Sequence, residues 1–275
     1  MRARKAPAHF LLDRVAADFA ERLSLVSRAF PRALDLGTPG PQVAEALRAN
    51  ERSVFRAAPI LEAPASVLSL IADEEVLPFA SESFDLIASA LSLQWANDLP
   101  GVLVQIRRAL APNGLFLAAL VGGQSLAELR TALTSAEAEL TGGASPRVAP
   151  FADVRDLGQL LQRAGFALPV TDIDSIVVRY ASMFALMQDL RAMGATNALS
   201  ERSRVPLRRA VLMRAAEIYA ERFADVDGRV RASFDIVWLS GWAPHESQQK
   251  PLAPGSARMR LAEALNVSEG RLPRG

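Results

Sequence analysis

Between residues 32 and 121 short apolar runs alternate with amphipathic ones, and this alternation restricts the fold more than any other feature of the chain. RALDLG, RSVFRAA, SVLSLIA (66–72), FDLIASAL and NGLFLAALV read as strands. They are almost continuously apolar, as strands are when helices cover both faces of a parallel sheet. PQVAEALRAN and DLPGVLVQIRRALAP lie among them and repeat their apolar residues at helical spacing. The pattern predicts an α/β fold with a doubly wound, Rossmann-like sheet. Past residue 122 the balance moves towards helix. SLAELRTALTSAEAEL and DVRDLGQLLQRAGF read as helices, the second closed by Gly165 just past its end. LPVTDIDSIVVRY and SFDIVWLSGW read as strands, and residues 182–224 as two helices broken near 194–203. The expected organisation is one domain over 1–250 with a helical insertion at about 182–230, and a loosely ordered tail over 251–275.

The chain's 275 residues suffice for one such domain. With 31 basic and 30 acidic residues the net charge is +1, so a nucleic-acid backbone is not an expected partner. No cysteine is present, which excludes disulfides and thiolate metal sites built from this chain. The longest apolar run, residues 115–121, is too short to span a bilayer, so no transmembrane segment is expected. The start, MRARKAPAHFLLDRVAADFAERL, is basic for five residues but has no signal-peptide core, and Asp13, Asp18 and Glu21 argue against a transit peptide. Phe10, Leu11, Val15, Phe19 and Leu23 fall near one face, so an amphipathic helix of a mature, cytoplasmic protein is expected there.

Candidate chemistry begins at DLGTPG. Asp35 ends a strand, and Gly37 and Gly40 open the turn into a helix, where glycine lets backbone N–H groups approach a ligand. Asp-x-Gly is how the cofactor loop of methyltransferases that use S-adenosylmethionine opens. Those loops continue with two more glycines, and here Pro39 and Pro41 occupy the two positions. A ribose-gripping carboxylate belongs at the end of the second strand, where Ala57 and Ala58 stand; Glu62 is the nearest acid beyond. Losing that acid and one or two loop donors costs roughly 3–5 kcal/mol of cofactor binding. ADEEVLPF (72–79) supplies Asp73 for the adenine amino group and the Glu74 backbone N–H beside the ring. Ser89, Gln94 and Trp95 follow the fourth strand, where the methionine end of the cofactor would lie; Gln94 and Trp95 are catalytic candidates. A third candidate is His245, beside Glu246 in GWAPHESQQKP, because imidazole titrates near neutrality. A facial iron triad needs two histidines and a carboxylate. His9 and His245 lie at opposite ends of the chain, and no metal site is expected. The plainer alternatives are an ordinary turn at Gly37, a solvated acidic turn at Asp73, a core anchor at Trp95 and a surface cap at His245.

From Leu77 to Phe116 the chain resembles the class I methyltransferases that include the malonyl-carrier methyltransferase of biotin synthesis. VGGQSLAELRTAL, GGASPRVAPFADVRDLGQLLQRAGF, MFALMQDLRAMGATNAL and GWAPHESQQKP are similar to one branch of them: the methyltransferase-like complex I assembly factor and its bacterial relatives. The resemblance covers roughly residues 10–257. It implies a seven-stranded sheet with helical insertions, S-adenosylmethionine as cofactor, and a protein client, an iron–sulfur subunit of complex I. It leaves three activities open: methyl transfer, arginine hydroxylation as in the mitochondrial member, and scaffolding without chemistry.

Overall fold

A computed structural model describes residues 9–48, 52–60 and 67–249. Glu62 and the expected tail over 251–275 lie outside the described residues. The chain divides into two compact units, Met1–Pro244 and His245–Gly275. The first contains every helix and strand described below.

The helix predicted near the start is α1, Phe10–Ser24, which buries Leu11, Leu12, Val15, Ala16, Phe19 and Leu23. Five parallel strands follow: β1 (Arg32–Leu36), β2 (Ser53–Ala58), β3 (Leu68–Ile71), β4 (Phe84–Ala90) and β5 (Leu110–Gly122). Helix α2 (Gln42–Arg48) connects β1 to β2, and α3 (Leu99–Ala109) connects β4 to β5. Asp98 starts α3 by accepting from Gly101 N at 3.0 Å, with Pro100 in the first turn, where its missing N–H costs nothing. Then come α4 (Ala127–Thr141), α5 (Val154–Arg163), β6 (Ala167–Tyr180), α6 (Met183–Ala192), α7 (Arg209–Phe223) and β7 (Val230–Trp242). Gly165, with φ +84°, closes α5 as predicted. Its N–H bonds Gln162 O at 3.0 Å and that of Phe166 bonds Leu161 O at 3.1 Å, a Schellman motif.

The sheet has seven strands in the order β3-β2-β1-β4-β5-β7-β6. One strand is reversed: β7 runs antiparallel to both β5 and β6, with Gly122 opposite Asp235 and Leu115 opposite Trp242. An interior antiparallel strand is covered on both faces just as a parallel one is, so its apolar pattern does not reveal its direction. Each face of the sheet carries its own core. One packs α1, α2, α4, α6 and α7 against residues such as Leu86, Leu117 and Trp238; the other packs α3 and α5 against Ile87, Phe116 and Leu239. Among the described residues no helix is long and apolar enough to cross a membrane.

The chain builds β1, β2 and β3 outward in one direction and then returns to place β4 and β5 on the other side of β1. The reversal lies between β1 and β4, and ligands of open α/β sheets bind outside the carboxyl ends of the strands at such a point.

Candidate cofactor site

The loop after β1 is gripped from beneath. Asp35, the fourth residue of β1, is fully buried and lies opposite Arg56 of β2 in the ladder. Arg56 is 1% exposed; its Nε stands 3.6 Å from Asp35 Oδ2, and its Nη2 donates to Thr38 O at 2.7 Å. Thr38 donates its hydroxyl hydrogen to Asp35 Oδ1, and its Oγ1 accepts from Ala90 N at 3.2 Å. Burial pushes the Asp35 carboxyl up to about 7, while the Thr38 hydroxyl, the Arg56 charge and the Ala44 N–H pull the other way. Asp35, read from the sequence as a cofactor residue, therefore acts on the loop from inside the protein. Sequence reasoning missed Thr38 and Arg56. The signal was present: an arginine inside an apolar strand requires a buried partner.

Above the loop, Gly37 adopts φ +72°, and its N–H continues the ladder to Ala57 O at 2.7 Å. A Cβ on Gly37 would overlap both Ser92 Oγ and Glu74 Oε1, and these two atoms are hydrogen-bonded at 2.7 Å. The structure thus brings Gly37, Glu74 and Ser92 together. Ser92 was not among the candidates, because its approach to Glu74 depends on a contact 18 residues apart in sequence. Gly40 is covered in turn by Gln42 Oε1 and the Leu12 side chain. Gln42 donates to Asp13 Oδ1 at 3.0 Å, and among the described residues its own buried Oε1 has no hydrogen-bond partner. Pro41 precedes the first residue of α2, and its carbonyl accepts from Glu45 N at 2.9 Å.

The acidic turn after β3 forms the opposite wall. Asp73 is exposed and accepts from Glu75 N at 2.9 Å. Glu75 binds the Asn97 backbone and side chain, and its carbonyl accepts from Gln105 Nε2 at 2.7 Å, which ties the turn to α3. Ser89 lies within β4, paired with Ala118 of β5, and not past the strand as expected; it is fully buried, and among the described residues its hydroxyl has no hydrogen-bond partner. Gln94 and Trp95 lie in a short 3-10 turn, Leu93–Trp95. Gln94 donates to Leu91 O at 2.7 Å, and Trp95 is 45% exposed, which removes the core-anchor alternative for it. His245 belongs to the second compact unit. There its Nδ1 accepts from Ser247 N at 3.1 Å and lies 2.8 Å from the Ser247 hydroxyl, so the ring is engaged in its own turn. Among the described residues no three His, Cys, Asp or Glu side chains are grouped to hold a metal ion. A separate cavity of about 300 Å³ lies by α4, β6 and β7, with Glu128, Phe223, Arg231 and Ser233 in its walls.

A strand order of 3-2-1-4-5-7-6 with β7 alone reversed, and a glycine loop at the β1–β4 switch, define a class I methyltransferase fold. The profile of a methyltransferase domain family matches residues 35–118. The YcgJ protein of Bacillus subtilis shares the fold with a TM-score of 0.58 at 13% identity, over 84% of this chain and 99% of that one. Phosphoethanolamine N-methyltransferase 2 of Haemonchus contortus, solved with S-adenosyl-L-methionine, gives a TM-score of 0.50 at 15% identity, over 89% of this chain and 55% of that one.

Sequence relatives narrow the assignment. Arginine-hydroxylase NDUFAF5 of Danio rerio is 41% identical over 94% of this chain and 83% of its own length, and the Homo sapiens protein is 42% identical over 94% and 77%. Malonyl-[acyl-carrier protein] O-methyltransferase of Laribacter hongkongensis is 35% identical over 89% and 87%. The chain belongs to the family of the NDUFAF5 arginine-hydroxylases. These relatives are named as mitochondrial, which overturns the expectation of a cytoplasmic protein. That expectation rested on the composition of the first residues alone.

Proposed function

We propose that the chain is an S-adenosylmethionine-dependent, methyltransferase-like protein that acts on an arginine of a protein client, an iron–sulfur subunit of respiratory complex I. The observation that carries this is the roughly 40% identity to arginine-hydroxylases across 94% of the chain. The cleft at the β1–β4 switch supports an adenosyl ligand. Gly37 keeps the positive φ that the loop turn needs. Asp73 would take the adenine amino group beside the Glu74 backbone, and Ser89 and Gln94, whose hydroxyl and carbonyl are buried without a partner among the described residues, would flank the methionine end. Bound there, the cofactor would supply an electrophilic methyl group, and these residues would orient it.

Calorimetry with S-adenosylmethionine on the purified protein tests the cofactor. Binding tighter than millimolar is expected, and no heat up to that concentration would sink it. Deleting the gene and analysing the client subunit by mass spectrometry tests the activity. The client arginine should lose its modification, and the mass lost separates a methyl group from a hydroxyl. A second reading, an assembly factor that holds its client without chemistry, is favoured by Pro39, Pro41 and the side chains over both glycines. It predicts an unmodified client in the wild type and failed assembly after deletion.

A further inference from the structure

Both glycine faces of the loop are covered by hydrogen-bond acceptors of the chain itself. The Glu74 carboxylate stands with the Ser92 hydroxyl over Gly37, and the unpartnered Gln42 Oε1 stands over Gly40. Pro39 and Pro41 contribute no N–H. A loop of this kind ordinarily offers donors to an anionic group; this one offers acceptors, which suit the hydroxyl donors of a sugar. Its placement is specific. Gly37 N bonds Ala57 O at 2.7 Å and Ala72 N bonds Ala58 O at 3.2 Å. The loop, the end of β2 and the start of the acidic turn are therefore joined by single ladder steps. Glu74 lies two residues past Ala72 and reaches Gly37, so its carboxylate stands beside the end of β2, where Ala58 brings no acid.

We propose that Glu74, steadied by Ser92, binds the vicinal diol of the adenosyl ribose and performs from the β3 side the task that β2 ordinarily performs. The inference rests on the adenosyl-binding reading above. A carboxylate accepting two hydroxyl hydrogens is the ordinary chemistry of ribose recognition; only its origin in the fold has moved.

The test is calorimetry with S-adenosylhomocysteine and its 2′-deoxy analogue on wild type, Glu74→Gln, and Glu74→Gln combined with Ala58→Asp. Glu74→Gln is expected to weaken S-adenosylhomocysteine roughly ten- to a hundred-fold, the loss of a charge-assisted hydrogen bond. The deoxy analogue should bind the wild type more weakly than the parent ligand and lose less on Glu74→Gln, because one of the two contacts is already absent. Ala58→Asp should restore most of the affinity that Glu74→Gln removes. Three results overturn the inference while leaving the adenosyl reading intact. In the first, Glu74→Gln binds S-adenosylhomocysteine as well as or better than wild type, so the carboxylate merely occludes the cleft. In the second, it weakens both ligands equally, which marks a change in fold. In the third, Ala58→Asp restores nothing. No binding by wild type or by either variant would sink the adenosyl reading and this inference with it.

Discussion

The two sides of the loop after β1 are built on opposite terms. Beneath it, Asp35 and Thr38 are fully buried, Arg56 is 1% exposed, and their polar groups hold one another and the backbone. Above it, Glu74 is half-buried and is bonded to Ser92, which is buried. The difference teaches that the shape of a cofactor loop and the surface it shows a ligand are separable. Glycines usually serve both ends, by allowing the turn and by exposing N–H groups. Here Gly37 alone keeps a positive φ, and Arg56 and Thr38 fix the residues that follow from below. With the backbone held by side chains, prolines can occupy positions 39 and 41 without the loop being lost.

The largest test of this contrast lies beneath the loop. Arg56→Ala leaves the Asp35 carboxylate buried beside an empty partner site and should cost about 3–5 kcal/mol, read from the shift in urea midpoint. Replacing both at once, Asp35→Leu with Arg56→Met, should cost considerably less, because no buried charge remains. A loss below about 1 kcal/mol for Arg56→Ala would mean that the network does not hold the loop. The same pair predicts a pH dependence. Asp35 titrates at about 7 in the folded protein against a reference of 3.8, so the folded state keeps a proton that the unfolded chain releases in between. Its contribution to stability is complete below about pH 4 and is lost as pH rises through about 7. Asp35→Asn should remove that decline from a series of urea midpoints. Glu137 supplies the opposite sign: the hydrogen bond from Arg147 at 2.7 Å holds its carboxyl below the usual range, so its stabilisation is lost as pH falls. Glu137→Gln should lower stability near neutral pH and flatten the decline on the acid side.

Next in size is Gly37→Ala, which touches both sides of the contrast. A left-handed residue costs about 1–2 kcal/mol with a side chain, and the new methyl would press on Ser92 and Glu74. A urea midpoint should show that loss, and calorimetry should show no adenosyl binding. Glu74→Gln, by contrast, should leave stability within about 0.5 kcal/mol. If both variants lower stability equally, the upper side is structural after all.

How much of this was legible depends on the range of the interactions involved. The strands, α1, α5 and the Gly165 stop follow from periodicity and local chemistry, and the structure has them where the pattern lies. The direction of β7 was not legible, since its residues Phe234–Leu239 would read the same in either direction. Asp35, Gly37 and Glu74 were found as positions, but their orientations were not. Whether a carboxylate faces the core or the cleft depends on Arg56, 21 residues away, and on Ser92. Trp95 shows the same limit: LSLQW does not distinguish a core tryptophan from one that is 45% exposed.

A smaller effect on stability than that of Arg56→Ala should come from placing glycines in the loop, and it separates the two sides most cleanly. Pro39→Gly with Pro41→Gly frees the unfolded chain and should lower stability by about 0.4–1 kcal/mol per proline. The underside network would carry the loop in the variant as it does in the wild type, so the fold should survive. Two N–H groups would reappear on the ligand side, and each hydrogen bond regained is worth about 1 kcal/mol, or roughly five-fold in affinity. Calorimetry with S-adenosylmethionine should therefore show tighter binding by a less stable protein. Unchanged or weaker binding would mean that the prolines themselves shape the cleft, and that the loop's form and its ligand surface are not separable here.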